Sequence, residues 1–467
     1  MSTEISQLSG SDLLRLYRRR DLSPVEVVHD ALARIDRFEP QINAFVAVDS
    51  DGALAAARAS QARWARGEPQ GLLDGLPATV KDNIDVKGLP SRKGSLTTSA
   101  APAAADAPAV ARLRKQGAIV LGKTTLPEYG WIGVCHSPLT GVTRNPWNRE
   151  RTPGGSSGGA AAAALLNLGV LHLGTDGAGS IRIPAAFTGV FGIKPSYGRV
   201  PAYPASPFTV LAHQGPLTRT VTDAALMLSV IGGPDARDST AWNTPAPDFR
   251  IGLDEGVRGL RIAFSPRLGY VKQTDPDVEA ATAKAAQVFA DLGAIVEQVD
   301  PGFASPLDTI MTIWYGVSFA IVGGLPPAEQ EKMDPGFRRI AEEGRGVTLA
   351  AYLAAHAART QLAEHMRQFH ERYDLLLTPQ MPLTALETGR VMPADGRYGE
   401  GWIDWSPFTY PFNLTQQPAA SVPCGFAADG LPVALQIVGP SRNDARVLRA
   451  ARAFESACPF AALAAPR

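Results

Sequence analysis

The sequence has few cysteines, no excess of charge of either sign and no long apolar run. Its 467 residues include 3 cysteines, at positions 135, 424 and 458, without a CxxC pair or a zinc-ligand spacing. This count predicts no metal site and no disulfide framework, and it is typical of a reducing compartment. The 45 basic residues equal the 45 acidic residues in number. Because nucleic-acid binding needs a basic surface, nucleic acid is not expected as the main ligand.

A membrane or secretion signal is also missing. The longest apolar run, 160–166, is far shorter than the ~20 residues that cross a bilayer. The opening segment MSTEISQLSGSDLLRLYRRR has no apolar core of the kind that secretory signals carry. We therefore expect a cytoplasmic protein with no membrane partner. The sequence leaves the oligomeric state open, and a homodimer is one hypothesis.

The chain is rich in apolar side chains, which make up 45% of it against 19% charged residues, so a large buried core is expected. Helical patterns fill 9–67, with Ser11 and Ser23 as expected N-caps, and later helices alternate with short apolar strands. This alternation predicts an α/β fold in which helices cover one large mixed β-sheet. Because no linker-like segment interrupts it, we expect a single domain over 1–467. The clearest predicted elements are helices at 276–292, 307–323 and 349–372 and strands at 118–121, 260–264 and 433–438.

The first of three candidate motifs is the segment 117–124, GAIVLGKT, which matches the P-loop pattern letter for letter. In a P-loop the variable residues form a loop after a strand, and their N–H groups bind phosphate. Here the variable residues are apolar and are typical of the strand itself, and no helix follows Thr124. A nucleotide-binding protein is kept only as an alternative hypothesis.

The second motif, 154–158, reads GGSSG and matches the nucleophile elbow of α/β-hydrolases. An elbow needs a strand before it and a histidine base elsewhere. The preceding segment, 148–153, is polar and contains a proline, so no strand leads in. All seven histidines are interpreted as surface or hydrogen-bonded core residues, and the motif alone does not indicate this enzyme class.

The third motif is a second glycine-rich loop, 174–180, which precedes an expected helix. Its small residues would let successive backbone N–H groups converge and form an oxyanion hole for a substrate carbonyl. By itself the loop fits a tight strand-to-helix turn at least as well, so both interpretations stay open. The four N–H groups concerned belong to Gly177, Ala178, Gly179 and Ser180.

Two segments carry a resemblance to a known family. The run GGSSGGAAAAALLNLGVLHLGTDGAGSIRIPAAFTGVFGIKPSYGRV at 154–200 and the segment VKDN at 80–83 resemble the amidase signature family. The resemblance implies the α/β fold of that family, with a motif-dense core at 70–205 and a C-terminal part of the same domain at 405–467. It implies hydrolysis of amide C–N bonds, and we expect no metal and no cofactor.

The resemblance also implies a catalytic triad and the residues that support it. Ser180 would be the nucleophile, Ser156 the bridging serine and Lys81 the base, with a cis peptide bond between Gly155 and Ser156. The implied supporting residues are Ser157, Asp176 and Arg182. A lysine accepts a proton only when it is neutral, and burial at a strand end would lower its pKa from about 10.4.

One position departs from the family pattern. Many members carry a glycine where this chain has Ala178. An alanine still offers its backbone N–H to an oxyanion, provided that its φ is not positive. The departure therefore puts the geometry of the loop in question, and not the reaction.

The resemblance leaves the amide substrate open. An apolar or aryl pocket could be lined by Tyr129, Trp131, Trp314 and Trp405, although core packing is the simpler explanation for each of them. The glutaminase subunit of tRNA-dependent amidotransferases usually carries an acidic residue where this chain has Ser406. We therefore expect an amidase acting on a small, apolar or aryl carboxamide. The alternative is the glutaminase subunit, which would need partner chains.

Overall fold

A computed structural model describes residues 4–460 of the chain. Its strands are β1 Phe45–Val48, β2 Pro77–Lys81, β3 Ile119–Thr124, β4 His136–Ser137, β5 Gly141–Val142, β6 Leu171–Asp176, β7 Phe191–Lys194, β8 His213–Thr218, β9 Arg261–Phe264, β10 Ile295–Gln298, β11 Leu375–Pro379, β12 Ala419–Phe426 and β13 Pro432–Val438. Within the described residues, eleven of them form one sheet in the order β1-β3-β2-β6-β8-β7-β12-β13-β11-β9-β10, and β4 pairs with β5 separately.

Helices flank this sheet along most of its length. They are α1 Gly10–Arg19, α2 Pro24–Ile42, α3 Ser50–Arg66, α4 Pro108–Lys115, α5 Gly158–Leu165, α6 Arg182–Thr188, α7 Val221–Ile231, α8 Pro276–Asp291, α9 Leu307–Gly323, α10 Pro327–Gln330, α11 Pro335–Gly344, α12 Leu349–Arg372, α13 Pro411–Leu414 and α14 Asp444–Ala457. The bounds of α9 and α12 are those predicted from the sequence. Where the sequence predicted Ser11 as the first N-cap, the structure has Ser9, whose side chain accepts from the N–H of Asp12. None of these helices combines the length and the apolar character needed to cross a membrane.

The sheet is mixed, as the sequence predicts. Strand β2 runs parallel to both β3 and β6, and β9 runs parallel to both β10 and β11. The centre is antiparallel, and the pairing of β7 with β12 joins the strands before residue 220 to those after it. One continuous sheet therefore makes a single α/β domain of the described chain.

Helix α5 is buried along its whole length because it is built from glycine and alanine. A Cβ at Gly159 would lie 2.4 Å from the carbonyl oxygen of Ala44, and one at Gly158 would lie 2.5 Å from Cβ of Cys135. These approaches leave no room for side chains on this face of the helix. The close fit holds the first glycine-rich loop, which precedes α5, against the ends of the parallel strands.

The P-loop-like segment 117–124 is a strand, and it forms no phosphate-binding loop. Its residues from Ile119 to Thr124 are β3, which pairs with β1 on one side and β2 on the other. Lys123 is fully buried, and its Nζ lies 3.2 Å from a carboxylate oxygen of Asp82. The lysine is therefore part of a buried ion pair inside the sheet.

This ion pair gives the first testable prediction. Lys123→Ala should lower the free energy of unfolding by roughly 3–5 kcal/mol, because it leaves the Asp82 carboxylate buried without a partner. Urea unfolding measures the change. The double variant Lys123→Met with Asp82→Asn, which removes both charges, should recover most of the loss. ATP binding by the wild type that disappears in Lys123→Ala would contradict this structural role.

Candidate active site

Lys81 is the last residue of β2, and its side chain is fully buried at the edge where parallel strands end. Its Nζ lies 2.7 Å from Ser156 Oγ, 2.9 Å from Ser157 Oγ and 2.8 Å from Thr175 Oγ1. Because β6 runs parallel to β2 as its neighbour, Thr175 reaches this edge from β6. The structure thus brings the predicted lysine and both serines of the first glycine-rich loop into direct contact.

The surroundings of Lys81 favour a neutral amine. Burial lowers the pKa of Lys81 to about 7, and the nearby Asp176 carboxylate only partly opposes this effect. Within residues 4–460 no carboxylate pairs directly with Nζ, whose neighbours are hydroxyl groups and one carbonyl. Near neutral pH a large fraction of Lys81 is therefore able to accept a proton.

The hydrogen bonds around Lys81 determine where its lone pair points when the amine is neutral. The Ser157 hydroxyl donates to the carbonyl of Thr175 at 3.1 Å, so Ser157 Oγ is free to accept from Lys81. Thr175 Oγ1 accepts from Nδ2 of Asn83 at 3.1 Å. A neutral amine has two N–H donors for these two oxygens. Its lone pair is then left for the hydroxyl of Ser156.

The two glycine-rich loops meet at the two other predicted catalytic residues. The backbone N–H of Ser157 donates to the carbonyl of Ser180 at 3.0 Å. The peptide bond between Gly155 and Ser156 is cis, as the resemblance implies. Both Ser156 and Ser180 line one cavity of about 270 Å³. Among the described residues Ser156 Oγ has Lys81 as its side-chain partner, and no histidine contacts it.

The loop from 177 to 180 is held by the Asp176 carboxylate. One carboxylate oxygen accepts from the N–H of Gly179 at 2.7 Å and the other from the N–H of Ile181 at 3.1 Å. Gly179 has a φ of +127°, and a Cβ there would lie 2.7 Å from Cβ of Thr409, so glycine is required. The φ of Ala178 is not positive, so alanine fits at this position.

Of the four N–H groups expected to form an oxyanion hole, the one of Gly179 is taken up by Asp176. The N–H groups of Gly177, Ala178 and Ser180 have no acceptor within residues 4–460. Three such donors within four residues of one loop, next to a serine hydroxyl, are suited to stabilise charge on a carbonyl oxygen.

Asp176 is itself held by a buried guanidinium. Arg182 donates to both carboxylate oxygens, at 2.9 and 3.0 Å. Although burial would raise the pKa of Asp176, the charge of Arg182 lowers it well below its usual value. The remaining N–H groups of Arg182 donate to three groups of the C-terminal part, the carbonyl of Thr409 and the side chains of Asn413 and Gln436.

The four aromatic residues expected in a substrate pocket fall into two places. Tyr129 and Trp314 line the cavity that contains Ser156 and Ser180. Trp131 and Trp405 line a much smaller adjoining space, which also reaches Ser180 and Trp314. All four therefore lie next to the candidate site, but only two of them face its larger cavity.

Comparisons with known proteins identify the family. The family model described as Amidase matches residues 26–448, and this range includes Lys81, both glycine-rich loops and every described strand. The chain belongs to the amidase signature family. As a member of this family it is an amidohydrolase, an enzyme that hydrolyses amides.

Similar proteins differ in the function that their names give. The chain is 37% identical to a glutamyl-tRNA(Gln) amidotransferase subunit of Gloeobacter violaceus, over 94% of each chain. It is 36% identical to an acylamidase of Rhodococcus erythropolis, over 97% of this chain and 96% of that one. A solved bacterial aryl acylamidase of the amidase signature family superposes with a TM-score of 0.91 at 31% identity, over 98% of both chains.

Two residues around the lysine were not predicted as site residues: Thr175, which accepts from Lys81, and Asn83, which donates to Thr175. Asn83 and Thr175 complete the hydrogen bonding around Lys81. Both lie in segments that carry the resemblance: Asn83 is two residues after Lys81, and Thr175 directly precedes Asp176. These residues lie at or just after the ends of two neighbouring parallel strands. They could be recognised as neighbours of Lys81 only if the order of the strands in the sheet were known.

The loop geometry gives the second prediction. Gly179→Ala should lower kcat/KM for an amide by about 100-fold or more, because the loop must move and its N–H donors leave their positions. The matched control is Ala178→Gly, which keeps every N–H group and should stay within a few-fold of the wild type. Steady-state kinetics on variants with unchanged far-UV circular dichroism measures both. Equal activity of Gly179→Ala and the wild type would show that the loop conformation does not matter.

Proposed function

We propose that this enzyme hydrolyses the C–N bond of small, apolar or aryl carboxamides through Lys81, Ser156 and Ser180, by way of an acyl-enzyme. The observation that carries the proposal is the fully buried Lys81 amine, 2.7 Å from Ser156 Oγ, at a cavity that Ser156 shares with Ser180. A neutral lysine next to a serine can activate a second serine without any histidine.

In the proposed first step, Ser180 Oγ attacks the carbonyl carbon of the amide. The proton of Ser180 passes to Ser156 Oγ as the proton of Ser156 passes to Lys81 Nζ, so the amine becomes an ammonium. The carbonyl π electrons move to the oxygen. The N–H groups of Gly177, Ala178 and Ser180 then donate to the resulting oxyanion.

Collapse of the tetrahedral intermediate breaks the C–N bond. The leaving nitrogen takes its proton from Ser156, and Ser156 takes one back from the Lys81 ammonium. An ester between the acyl group and Ser180 remains. Water then attacks this ester and gives its proton through Ser156 to Lys81. When the bond between the acyl carbon and Ser180 Oγ breaks, that proton returns through Ser156 to Ser180, and the acid is released. Every proton is carried by the three side chains, so the proposed steps use no metal and no cofactor.

Part of the cavity wall is apolar and would suit an apolar substituent. The rings of Tyr129, Phe208 and Trp314 line it together with Pro204 and Pro207. Phe208 and Trp314 pack with their centroids 4.1 Å apart, which makes a firm apolar wall. Such a wall gains free energy by covering an alkyl or aryl group.

The glutaminase alternative is supported by the similarity to a protein named as part of a glutamyl-tRNA(Gln) amidotransferase, but less by the side chains. At Ser406, where we expected an acidic residue in such proteins, the hydroxyl is buried and donates to the carbonyl of Ile403 at 2.8 Å. A neutral, internally bonded hydroxyl provides no counter-charge for the ammonium group of glutamine.

The assignment of the nucleophile gives the third prediction. Ser180→Ala should abolish the hydrolysis of acetanilide and the labelling by a fluorophosphonate, because the attacking oxygen is removed. The control is Ser206→Ala, which removes a hydroxyl from the wall of the same cavity and should retain activity. Mass spectrometry of the labelled peptide identifies the modified serine. Ammonia release from glutamine only, and only with a partner chain present, would favour the glutaminase alternative instead.

The lowered pKa of Lys81 gives the fourth prediction. Because only the neutral amine accepts a proton, kcat/KM should fall about tenfold per pH unit below about 7 and level off above it. Initial rates from pH 5 to 9 measure the profile, on protein whose stability is checked at each pH. Lys81→Arg, which stays charged, should be inactive throughout. A flat profile across this range would argue against Lys81 as the base.

A further inference from the structure

We propose that the walls around Ser180 sort the two halves of the amide by size. The acyl substituent enters a narrow aromatic pocket, and the leaving amine occupies the larger cavity. The inference rests on the proposed function, since it assumes that Ser180 is the nucleophile. It deepens that function by naming the substrate class, which is amides that join a very small acyl group to a larger amine.

Two spaces of very different volume meet at Ser180. The larger, here called the amine cavity, measures about 270 Å³ and includes Tyr129 and Phe208 in its wall. The smaller, here called the acyl pocket, measures about 10 Å³ and lies between Trp131, Trp402 and Trp405. Ser180 lines both spaces, and so does Trp314, which therefore forms part of the partition between them.

The position of Ser156 indicates which of the two spaces receives the leaving amine and which receives the acyl substituent. Ser156 lines the amine cavity and is not part of the wall of the acyl pocket. In the proposed mechanism Ser156 protonates the leaving nitrogen, and proton transfer requires hydrogen-bond distance. The nitrogen must then face the amine cavity. The acyl substituent on the carbonyl carbon is then directed into the acyl pocket, which also borders Ser180 and is lined by Ala178.

The acyl pocket is narrow because closely packed aromatic rings fill the space around it. The Trp402 ring lies 5.7 Å from that of Trp131 and 5.8 Å from that of Trp314, centroid to centroid. Trp131 stacks on Phe337 at 6.1 Å. Packed aromatic rings of this kind resist displacement. A space of about 10 Å³ holds roughly one water-sized sphere, so it accepts hydrogen or methyl as the acyl substituent.

The amine cavity has the opposite character. Its volume of about 270 Å³ approaches the lower end of ligand pockets, roughly 300 Å³, and is wide enough for an aryl or short alkyl amine. One methylene too many in a closed apolar pocket costs roughly 10- to 200-fold in kcat/KM. The enzyme should therefore prefer formyl and acetyl anilides to amides with larger acyl groups.

The test keeps the amine constant and varies the acyl group. Wild-type kcat/KM is measured on formanilide, acetanilide, butyranilide and benzanilide, and it should drop at least tenfold from acetyl to butyryl. Trp402→Ala removes a ring that lines only the acyl pocket, and it should raise the butyryl-to-acetyl ratio at least tenfold. Trp402→Phe, a milder change that keeps an aromatic ring, should raise the same ratio by less.

The control variant is Tyr129→Ala, because Tyr129 lines only the amine cavity. It should change the preference among substituted anilines and leave the butyryl-to-acetyl ratio as in the wild type. A wild-type series that is flat across acyl length would overturn the inference. So would an unchanged ratio in both Trp402 variants.

The same panel separates this inference from the proposed function. Hydrolysis that disappears in Ser180→Ala but shows no dependence on acyl length would refute the pocket assignment alone. Hydrolysis that persists in Ser180→Ala would refute the nucleophile, and with it the assignment of the two spaces around that residue.

Discussion

The burial of Lys81 is the constraint on which the rest of the site depends. An ammonium taken out of water without a carboxylate partner is unfavourable, so the buried side chain releases its proton more easily than a lysine in water. Three hydroxyl groups can satisfy a neutral amine where they could not neutralise a charged one. The end of β6 and the loop before α5 must stay in place to supply these hydroxyls to the lysine at the end of β2. The fold therefore lowers the pKa of Lys81 by removing its amine from water, and not by placing a charged partner beside it.

A second buried group ties this chemistry to the C-terminal part of the chain. Arg182 pairs with Asp176, which accepts from N–H groups of the second glycine-rich loop and of Ile181 after it, and it also donates to groups between residues 409 and 436. Its charge is thus balanced and its N–H groups are satisfied only when both parts of the sheet are assembled. The C-terminal part of the domain thus helps to hold the loop that contains Ser180.

Much of the fold and of the candidate site could be predicted from the sequence where the signal is local. Apolar periodicity placed both ends of α9 and of α12 correctly, and the small-residue runs pointed to both loops. The strands β7, β8 and β12 were not predicted individually, because they contain glycine, proline or polar residues that acquire their role only by pairing with neighbours. Thr175 was missed for the same reason, since a strand order must be known before its contact with Lys81 can be seen. The hydrogen bond from the N–H of Gly179 to the Asp176 carboxylate could not be predicted either, because it depends on the side-chain rotamer of Asp176.

The residues proposed to carry out the reaction and those proposed to select the substrate are distributed differently along the chain. The proposed catalytic residues and the hydroxyl groups around Lys81 lie in short segments between residues 81 and 180. The rings around Ser180 come from segments near residues 131, 314 and 402, which meet only in the folded chain. Exchanging one of those rings alters a pocket without touching the serines or the lysine. A chain can therefore be about equally similar to a protein named acylamidase and to one named as part of an amidotransferase, because a few ring positions contribute little to an identity counted over more than 460 residues.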